Sequence, residues 1–145
     1  MLKIIDFTDE YKEKLFEIQD FVLLSNDKMT KEQFFDEFVR DTRKYFVALL
    51  DSNPVGYIGL YIYDDDLNII QIAVEKEFQN RGIGGVLLER AKKFAKELNK
   101  KSLSLEVDEK NEIAQNFYKK NGFVVANVRK NYYKTSDALI MFCYL

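Results

Sequence analysis

Apolar positions in the first half of the chain recur at spacings that predict four strands and two helices. Leu15, Ile18 and Val22 are separated by helical intervals, which predicts an amphipathic helix. Thr30 and Gln33 have the spacing of a capping box, so a second helix is expected to begin just after Thr30. Short apolar runs bounded by turn residues predict strands over residues 2–7, 45–50, 55–63 and 67–74. The predicted order up to residue 74 is therefore β-α-α-β-β-β.

The second half predicts two more helices and three more strands. A long helix follows a glycine-rich turn, because Leu87, Ala91 and Ala95 share one face. Alternating polar and apolar side chains predict a strand over residues 102–107, and Gly122 is expected to end the short helix after it. Four residues of that helix are predicted to point inward: Ile113, Ala114, Phe117 and Tyr118. Two strands close the chain, over residues 123–128 and 138–145. The prediction is an α/β protein with a mixed, seven-stranded sheet.

Composition and charge exclude several classes of function. The chain has no histidine, which excludes Ser-His-Asp and Cys-His catalysis and any histidine base. Its one cysteine, Cys143, cannot form an intramolecular disulfide or a cysteine-rich zinc site. Acidic and basic residues number 24 and 22, a net charge of −2, so neither nucleic acid nor a membrane is expected as the main partner.

The length of 145 residues suits one domain spanning residues 1–145. The apolar runs are too short to cross a bilayer, and the start of the chain lacks the apolar core of a signal peptide. We therefore expect a cytoplasmic protein. The three adjacent aspartates at residues 64–66 are interpreted as a solvated turn, and no metal site is expected.

A predicted strand ends at Val74 and leads through a glycine-rich turn into a helix. Gln79, Gly82 and Gly84 form the pattern Q-x-x-G-x-G in this turn. Glycine permits a close approach of the backbone to a ligand, and the free N–H groups at a helix start attract anions. The spacing matches neither a P-loop nor a dinucleotide fingerprint. The turn thus favours a phosphate site of another kind, with a ligand-free turn as the alternative.

The element order, with Q-x-x-G-x-G before the third helix, resembles the GCN5-related N-acetyltransferase (GNAT) superfamily over essentially the whole chain. The resemblance implies the GNAT fold, β-α-α-β-β-β-α-β-α-β-β, with a sheet splayed between strands 4 and 5. It also implies acetyl-CoA as cosubstrate, with its pyrophosphate on the glycine turn and its pantetheine arm paired to strand 4 like an added strand. The residues assigned to the cosubstrate on this basis are Ile72, Ala73, Val74, Gln79, Asn80, Arg81, Gly82, Ile83, Gly84, Gly85, Asn111 and Tyr118.

The last third of the chain resembles the RimI branch of that superfamily, whose members acetylate protein N-termini and whose founding substrate is the N-terminal alanine of a ribosomal protein. The resemblance implies that Glu106 accepts the proton of the acceptor amine and that Tyr118 protonates the departing thiolate. It also implies that Tyr132 and Tyr133, placed in the loop between the last two strands, hold the acceptor peptide. The matching segments are Leu105-Glu106-Val107, Asn111, Phe117-Tyr118, Asn121-Gly122-Phe123 and Arg129 to Tyr133.

The chemistry of acetyl transfer to an amine agrees with these residue types. An N-terminal amine has a pKa of about 7.7–8.0, so a base needs to deprotonate only part of the population. Without histidine, a carboxylate such as Glu106 is the base expected. Each residue also has an ordinary alternative: Glu106 as a solvated strand end, Tyr118 as core, Asn111 as a helix cap, and Tyr132 with Tyr133 as packing.

The sequence therefore predicts an acetyl-CoA-dependent N-acetyltransferase that acts on the N-terminal amine of a protein or peptide, a ribosomal protein being one candidate. It leaves open whether the protein is a monomer or a homodimer. Two alternatives remain. One is acetylation of a small amine such as a polyamine, and the other is a non-catalytic module that binds acyl-CoA.

Overall fold

A computed structural model describes residues 1–145. Its elements follow the predicted order, which confirms the α/β class. They are β1 (Leu2–Asp6), α1 (Lys12–Val22), α2 (Lys31–Glu37), β2 (Arg43–Leu50), β3 (Asn53–Ile62), β4 (Asp66–Val74), α3 (Ile83–Glu97), β5 (Ser102–Asp108), α4 (Glu112–Lys120), β6 (Val124–Tyr133) and β7 (Ser136–Tyr144). No helix is both long enough and apolar enough to span a membrane.

All seven strands lie in one sheet, in the order β1-β2-β3-β4-β5-β7-β6. Every neighbouring pair is antiparallel except β4 and β5, which run parallel. Their ladder covers only three residue pairs, from Asp66 opposite Ser102 to Asn68 opposite Ser104. Beyond that point the two strands separate and leave an opening between residues 69–74 and residues 105–108, which we call the wedge. The predicted splay between strands 4 and 5 is confirmed.

Two apolar clusters cover opposite faces of the sheet, because successive side chains of a strand point to opposite sides. On β2, Phe46 packs in the cluster with α3, whereas Tyr45 packs in the cluster with α1 and α2. Leu87 of α3 and Leu15 of α1 are both completely buried at the centres of these clusters. Burial of one such side chain stabilises the fold by about 1.5–3 kcal/mol, so the two clusters hold the sheet from both faces.

The ends of the helices follow the sequence signals. Thr30 and Gln33 form the predicted capping box, in which each side chain accepts from the other residue's backbone N–H, at 3.1 and 2.9 Å. Asn111 is the N-cap of α4, and its Oδ1 accepts from the backbone N–H of Ala114 at 3.2 Å. Gly122 follows α4 with a φ of +95°, the left-handed conformation that glycine adopts most readily.

Two expectations were wrong. Ile113 is 86% exposed, because the buried face of α4 is set by Ala114, Phe117 and Tyr118, and Ile113 is rotated away from them along the helix. Strand β6 continues to Tyr133, so Tyr132 and Tyr133 lie at its end and not in a loop. β6 is an edge strand that is exposed along nearly its whole length, and residues 129–131 are all polar, so the sequence pattern ends the strand too early.

Candidate active site

The wedge exposes one edge of β4. On its other edge, Ile72, Ala73 and Val74 pair with Ile58, Tyr57 and Gly56 of β3. On the wedge side these three residues have no partner strand. An unpaired strand edge presents backbone donors and acceptors that an extended ligand can use as an additional strand would. The wedge is therefore able to bind an elongated ligand through the backbone of β4.

The glycine-rich turn lies directly beyond the end of β4. The side-chain amide of Gln79 donates to the backbone oxygen of Val74 at 2.8 Å and ties the turn to the end of the strand. Asn80 and Gly82 both have left-handed backbone conformations, with φ of +63° and +85°. Arg81 is exposed between them, with its guanidinium over the Phe78 ring at 5.4 Å. The turn brings the start of α3 to the edge of the wedge.

The start of α3 is built for close approach to a ligand. Gly82 precedes the helix, no side chain caps it, and its first turn contains no acidic residue. The N–H groups at a helix start have no partner within the helix, so here they are available to an anion. Ile83 anchors the turn in the core, and Gly84 lies so close to α4 that an added Cβ would be 3.0 Å from Cζ of Phe117. This arrangement suits a phosphate group.

Glu106 lies on β5 beside the wedge. Its Oε1 is 3.4 Å from Nη1 of Arg129, while its Oε2 is buried and has no hydrogen-bond partner. A buried oxygen without a partner is costly, so Oε2 is a free acceptor for a proton or for the N–H of a bound group. The Tyr132 side chain adjoins the same carboxylate, and its pKa is raised by burial and then by Glu106.

Three tyrosine side chains surround the same space. Tyr118 of α4 is 9% exposed, and its pKa is raised by burial and then by the Asp27 carboxylate. Burial followed by the same carboxylate also raises the pKa of Tyr133, whose ring meets that of Tyr132 edge to face at 5.1 Å. All three phenols therefore keep their protons at neutral pH. Tyr118 thus presents a protonated hydroxyl as a hydrogen-bond donor, and its raised pKa makes it a weaker acid than an unperturbed tyrosine.

Asp27 is the residue of this site that the sequence did not reveal. It ends a short 3-10 turn, Ser25–Asp27, between α1 and α2, and its backbone oxygen accepts from the Gln71 side chain at 2.8 Å. Burial raises the pKa of Asp27, and the carboxylate of Asp108 raises it further. In the sequence, Ser25-Asn26-Asp27 marks only the end of a helical pattern, and no spacing connects it to β5. Only the tertiary contacts of the folded chain show that Asp27 belongs to this site.

The family of the protein follows from comparison with known sequences. Residues 6–123 match the acetyltransferase (GNAT) family. The chain belongs to the GNAT acetyltransferase family. This enzyme transfers an acetyl group, and acetyl-CoA is its donor, as the resemblance implied. The family includes enzymes named as N-acetyltransferases, which supports an enzyme over a non-catalytic binding module.

Relatives of this GNAT enzyme act on more than one kind of amine. It is 36% identical, over 77% of its length and 76% of the relative's, to a Bacillus subtilis protein provisionally named a ribosomal protein bS18-alanine N-acetyltransferase. It is 30% identical, over 68% of its length and 64% of the relative's, to a spermidine N(1)-acetyltransferase of Thermoplasma acidophilum. The crystal structure of the Escherichia coli ribosomal-protein-S18-alanine N-acetyltransferase has the same fold, with a TM-score of 0.89 at 22% identity over 99% of this chain and 94% of that one.

The structure of this GNAT enzyme brings most of the predicted site residues to the wedge. Residues 72–74 and 79–85 line its β4 side, and Glu106, Tyr132 and Tyr133 lie toward its β5 side. Asn111 caps α4, which is the ordinary alternative considered for it, and the Gln79 amide is engaged with the backbone. Their roles toward acetyl-CoA stay predictions.

Proposed function

We propose that this acetyltransferase transfers the acetyl group of acetyl-CoA to the N-terminal α-amine of a protein or peptide. The observation that carries the proposal is the buried, unpartnered Oε2 of Glu106 beside the wedge, with the Tyr132 side chain next to the same carboxylate. The Bacillus subtilis relative supports a protein N-terminus as acceptor, and a ribosomal protein as one candidate. The cytoplasmic location expected from the sequence stays a prediction.

The donor is proposed to bind along the β4 side of the wedge. The backbone of Ile72, Ala73 and Val74 pairs with the pantetheine arm, which positions the thioester opposite β5. The N–H groups from Asn80 to Gly85 receive the pyrophosphate, because they lie at the positive end of the α3 dipole. The closeness of Gly84 to Phe117 keeps this turn in place.

The chemical step is direct transfer without an acyl-enzyme. The amine nitrogen attacks the thioester carbonyl carbon, a C–N bond forms, and the C–S bond breaks. The amine proton passes to Glu106, directly or through a water molecule, and the departing thiolate takes the proton of Tyr118. Because part of an α-amine population is already neutral near its pKa of about 7.7–8.0, a carboxylate is a sufficient base.

Peptides that differ only in their first residue test this proposal. Each peptide is incubated with the protein and acetyl-CoA, and mass spectrometry locates the acetyl group. The expected result is a single acetyl group on the N-terminal amine, with turnover that depends on the first residue. A peptide that is already blocked at its N-terminus and carries an internal lysine is the control. Acetylation of the blocked peptide at the same rate would contradict α-amine specificity.

A small polyamine is the second candidate acceptor, favoured by the carboxylates around the wedge. Asp27, Glu106 and Asp108 lie close together there, with Arg129 paired to one of them, so the acceptor side attracts cations. The Thermoplasma acidophilum relative is named for spermidine. Competition between spermidine and an alanine-starting peptide at equal concentration separates the two. A preference for spermidine of tenfold or more, about 1.4 kcal/mol, would replace the peptide proposal.

A further inference from the structure

A buried network of side-chain amides joins β4 to the segment between α1 and α2. The Gln71 amide nitrogen donates to Oε1 of Gln19 at 3.0 Å and to the backbone oxygen of Asp27 at 2.8 Å. Gln19 holds both backbone groups of Met29, at 2.6 Å to its N–H and 3.1 Å to its oxygen. The Tyr57 hydroxyl donates to Oε1 of Gln71 at 2.7 Å. We call these three side chains, Gln19, Tyr57 and Gln71, the amide network.

The amide network is hidden in an apolar environment. Gln19 and Tyr57 are completely buried and Gln71 is 5% exposed, beside the cluster that contains Leu15 and Phe34. Gln71 uses its oxygen and both of its N–H groups. Apolar side chains of the same shape would stabilise such a core nearly as well. Since polar groups in this place add little stability, they are better explained by what they hold in position.

The amide network holds residues 25–29 in position. We call these residues the α1–α2 segment. Its residues are mostly exposed, and its two contacts with the network are at Asp27 and Met29. The segment places the Asp27 carboxylate near Tyr118, Tyr132 and Tyr133. Gln71 itself lies on the stretch of β4 that has no partner on the wedge side, directly before Ile72. One side chain thus connects the donor-binding strand with the opposite wall of the site.

We propose that Gln71 is a positioning residue that fixes the α1–α2 segment as a wall of the acceptor site. The proposal deepens the proposed function, on which it rests for the nature of the acceptor. Without Gln71, the segment loses its only tie to β4 within the amide network, and Asp27 is no longer held beside the tyrosines. The binding of the acceptor then weakens. The binding of acetyl-CoA is unchanged, because the wedge and the glycine turn stay as they are.

Gln71→Met tests the proposal, because methionine keeps the approximate shape of the side chain and removes its donors. The expected result is a rise in the KM of the acceptor of about tenfold, with kcat and the affinity for acetyl-CoA within about twofold of the wild type. Tyr45→Phe is the matched control. It removes a buried hydroxyl from the same apolar cluster, one that donates to Glu37 at 3.0 Å and makes no hydrogen bond to the network. Its thermal stability is expected to fall, while the KM of the acceptor stays unchanged.

Hydrogen–deuterium exchange gives a second measurement that needs no acceptor. In Gln71→Met, the hydrogen-bonded amides of Asp27, Lys28 and Met29 are expected to exchange about tenfold faster. The amide of Phe7, bonded to the backbone oxygen of Tyr45 at 3.0 Å, is expected to keep its rate. Unchanged exchange in the segment, or an equal rise in acceptor KM in Tyr45→Phe, would overturn the proposal. If the wild-type protein acetylates neither peptides nor spermidine, the proposed function fails and the exchange rates still decide the role of Gln71.

Discussion

The two walls of the wedge present different chemical groups of the chain. On the wall formed by β4 and the start of α3, the available groups are backbone N–H and C=O groups, and no acidic side chain lies in the first turn of the helix. On the wall formed by the α1–α2 segment and the end of β6, they are a carboxylate and phenols: Asp27, Tyr132 and Tyr133. Glu106 lies between the walls, on β5.

Under the proposed function, this difference assigns one wall to each substrate. A wall made of backbone suits a ligand that is the same in every reaction, because most side-chain changes leave its hydrogen bonds in place. A wall made of side chains from separate segments suits an acceptor that differs between relatives. Changes in the backbone wall should therefore act on the donor, and changes in the side-chain wall should act on the acceptor.

The largest effect is expected for Glu106→Gln, which removes the proposed base between the walls. Turnover should fall by about 10²–10⁴-fold, because general base catalysis contributes about that much, and calorimetry should find the affinity for acetyl-CoA unchanged. The residual activity should rise with pH through the α-amine pKa of about 7.7–8.0, as the amine loses its proton without help. Glu89→Gln, an exposed glutamate of α3, is the control. Wild-type turnover in Glu106→Gln would remove the base from the mechanism.

Tyr118→Phe should have a smaller effect, because a thiol of pKa about 8.5 leaves as a thiolate with less need of a proton. We expect turnover to fall by about 10–100-fold. The ring contacts with Phe117 and Phe123, at 5.3 and 5.5 Å, are kept by phenylalanine, so thermal stability should change little. A thioester donor with a more acidic thiol should recover much of the loss. No recovery with such a donor would argue that Tyr118 only packs.

The backbone wall is tested by two alanine substitutions in one helical turn. In Gly84→Ala the new Cβ meets Cζ of Phe117 at 3.0 Å, whereas in Gly85→Ala it meets Oδ1 of Asn121 at an ordinary 3.7 Å. We expect Gly84→Ala to displace the start of α3 and to weaken acetyl-CoA binding by about fivefold. Because alanine keeps the Gly85 N–H and its Cβ has ordinary space, Gly85→Ala should weaken acetyl-CoA binding less than Gly84→Ala does. Equal affinities in the two variants would show that the packing of Gly84 does not shape the donor site.

The difference between the backbone wall and the side-chain wall also explains which parts of the site the sequence could predict. The backbone wall comes from contiguous residues. The motif Q-x-x-G-x-G therefore predicted the turn, and the apolar run before it predicted β4. The side-chain wall comes from segments far apart in the chain: the hydrogen bonds of Gln71 to Asp27 and Gln19 span 44 and 52 residues. Nothing local distinguishes Asp27 from an ordinary helix-ending aspartate. The end of β6 was missed because this exposed edge strand lacks the alternation of buried and exposed side chains on which strand prediction depends.

The smallest effect on activity is expected for Asp27→Asn, which removes a charge from the side-chain wall. The KM of a cationic acceptor should rise by about threefold, with the affinity for acetyl-CoA unchanged. Asp41→Asn, which changes an exposed aspartate between α2 and β2, is the control and should leave KM unchanged.

The pH dependence of thermal stability tests the role of Asp27 independently of activity. Burial raises the native pKa of Asp27 above its unfolded value of about 3.9, so the ionised carboxylate destabilises the fold at neutral pH. Asp27→Asn should therefore raise the melting temperature at pH 7. That gain should shrink as the pH falls through the native pKa of Asp27, and it should vanish below about pH 3.9, where aspartate is protonated in both states. If Asp27 lowers the stability of the fold and strengthens the binding of the acceptor, its role is in function and not in folding. A lower melting temperature at pH 7 would instead mean that Asp27 serves the fold.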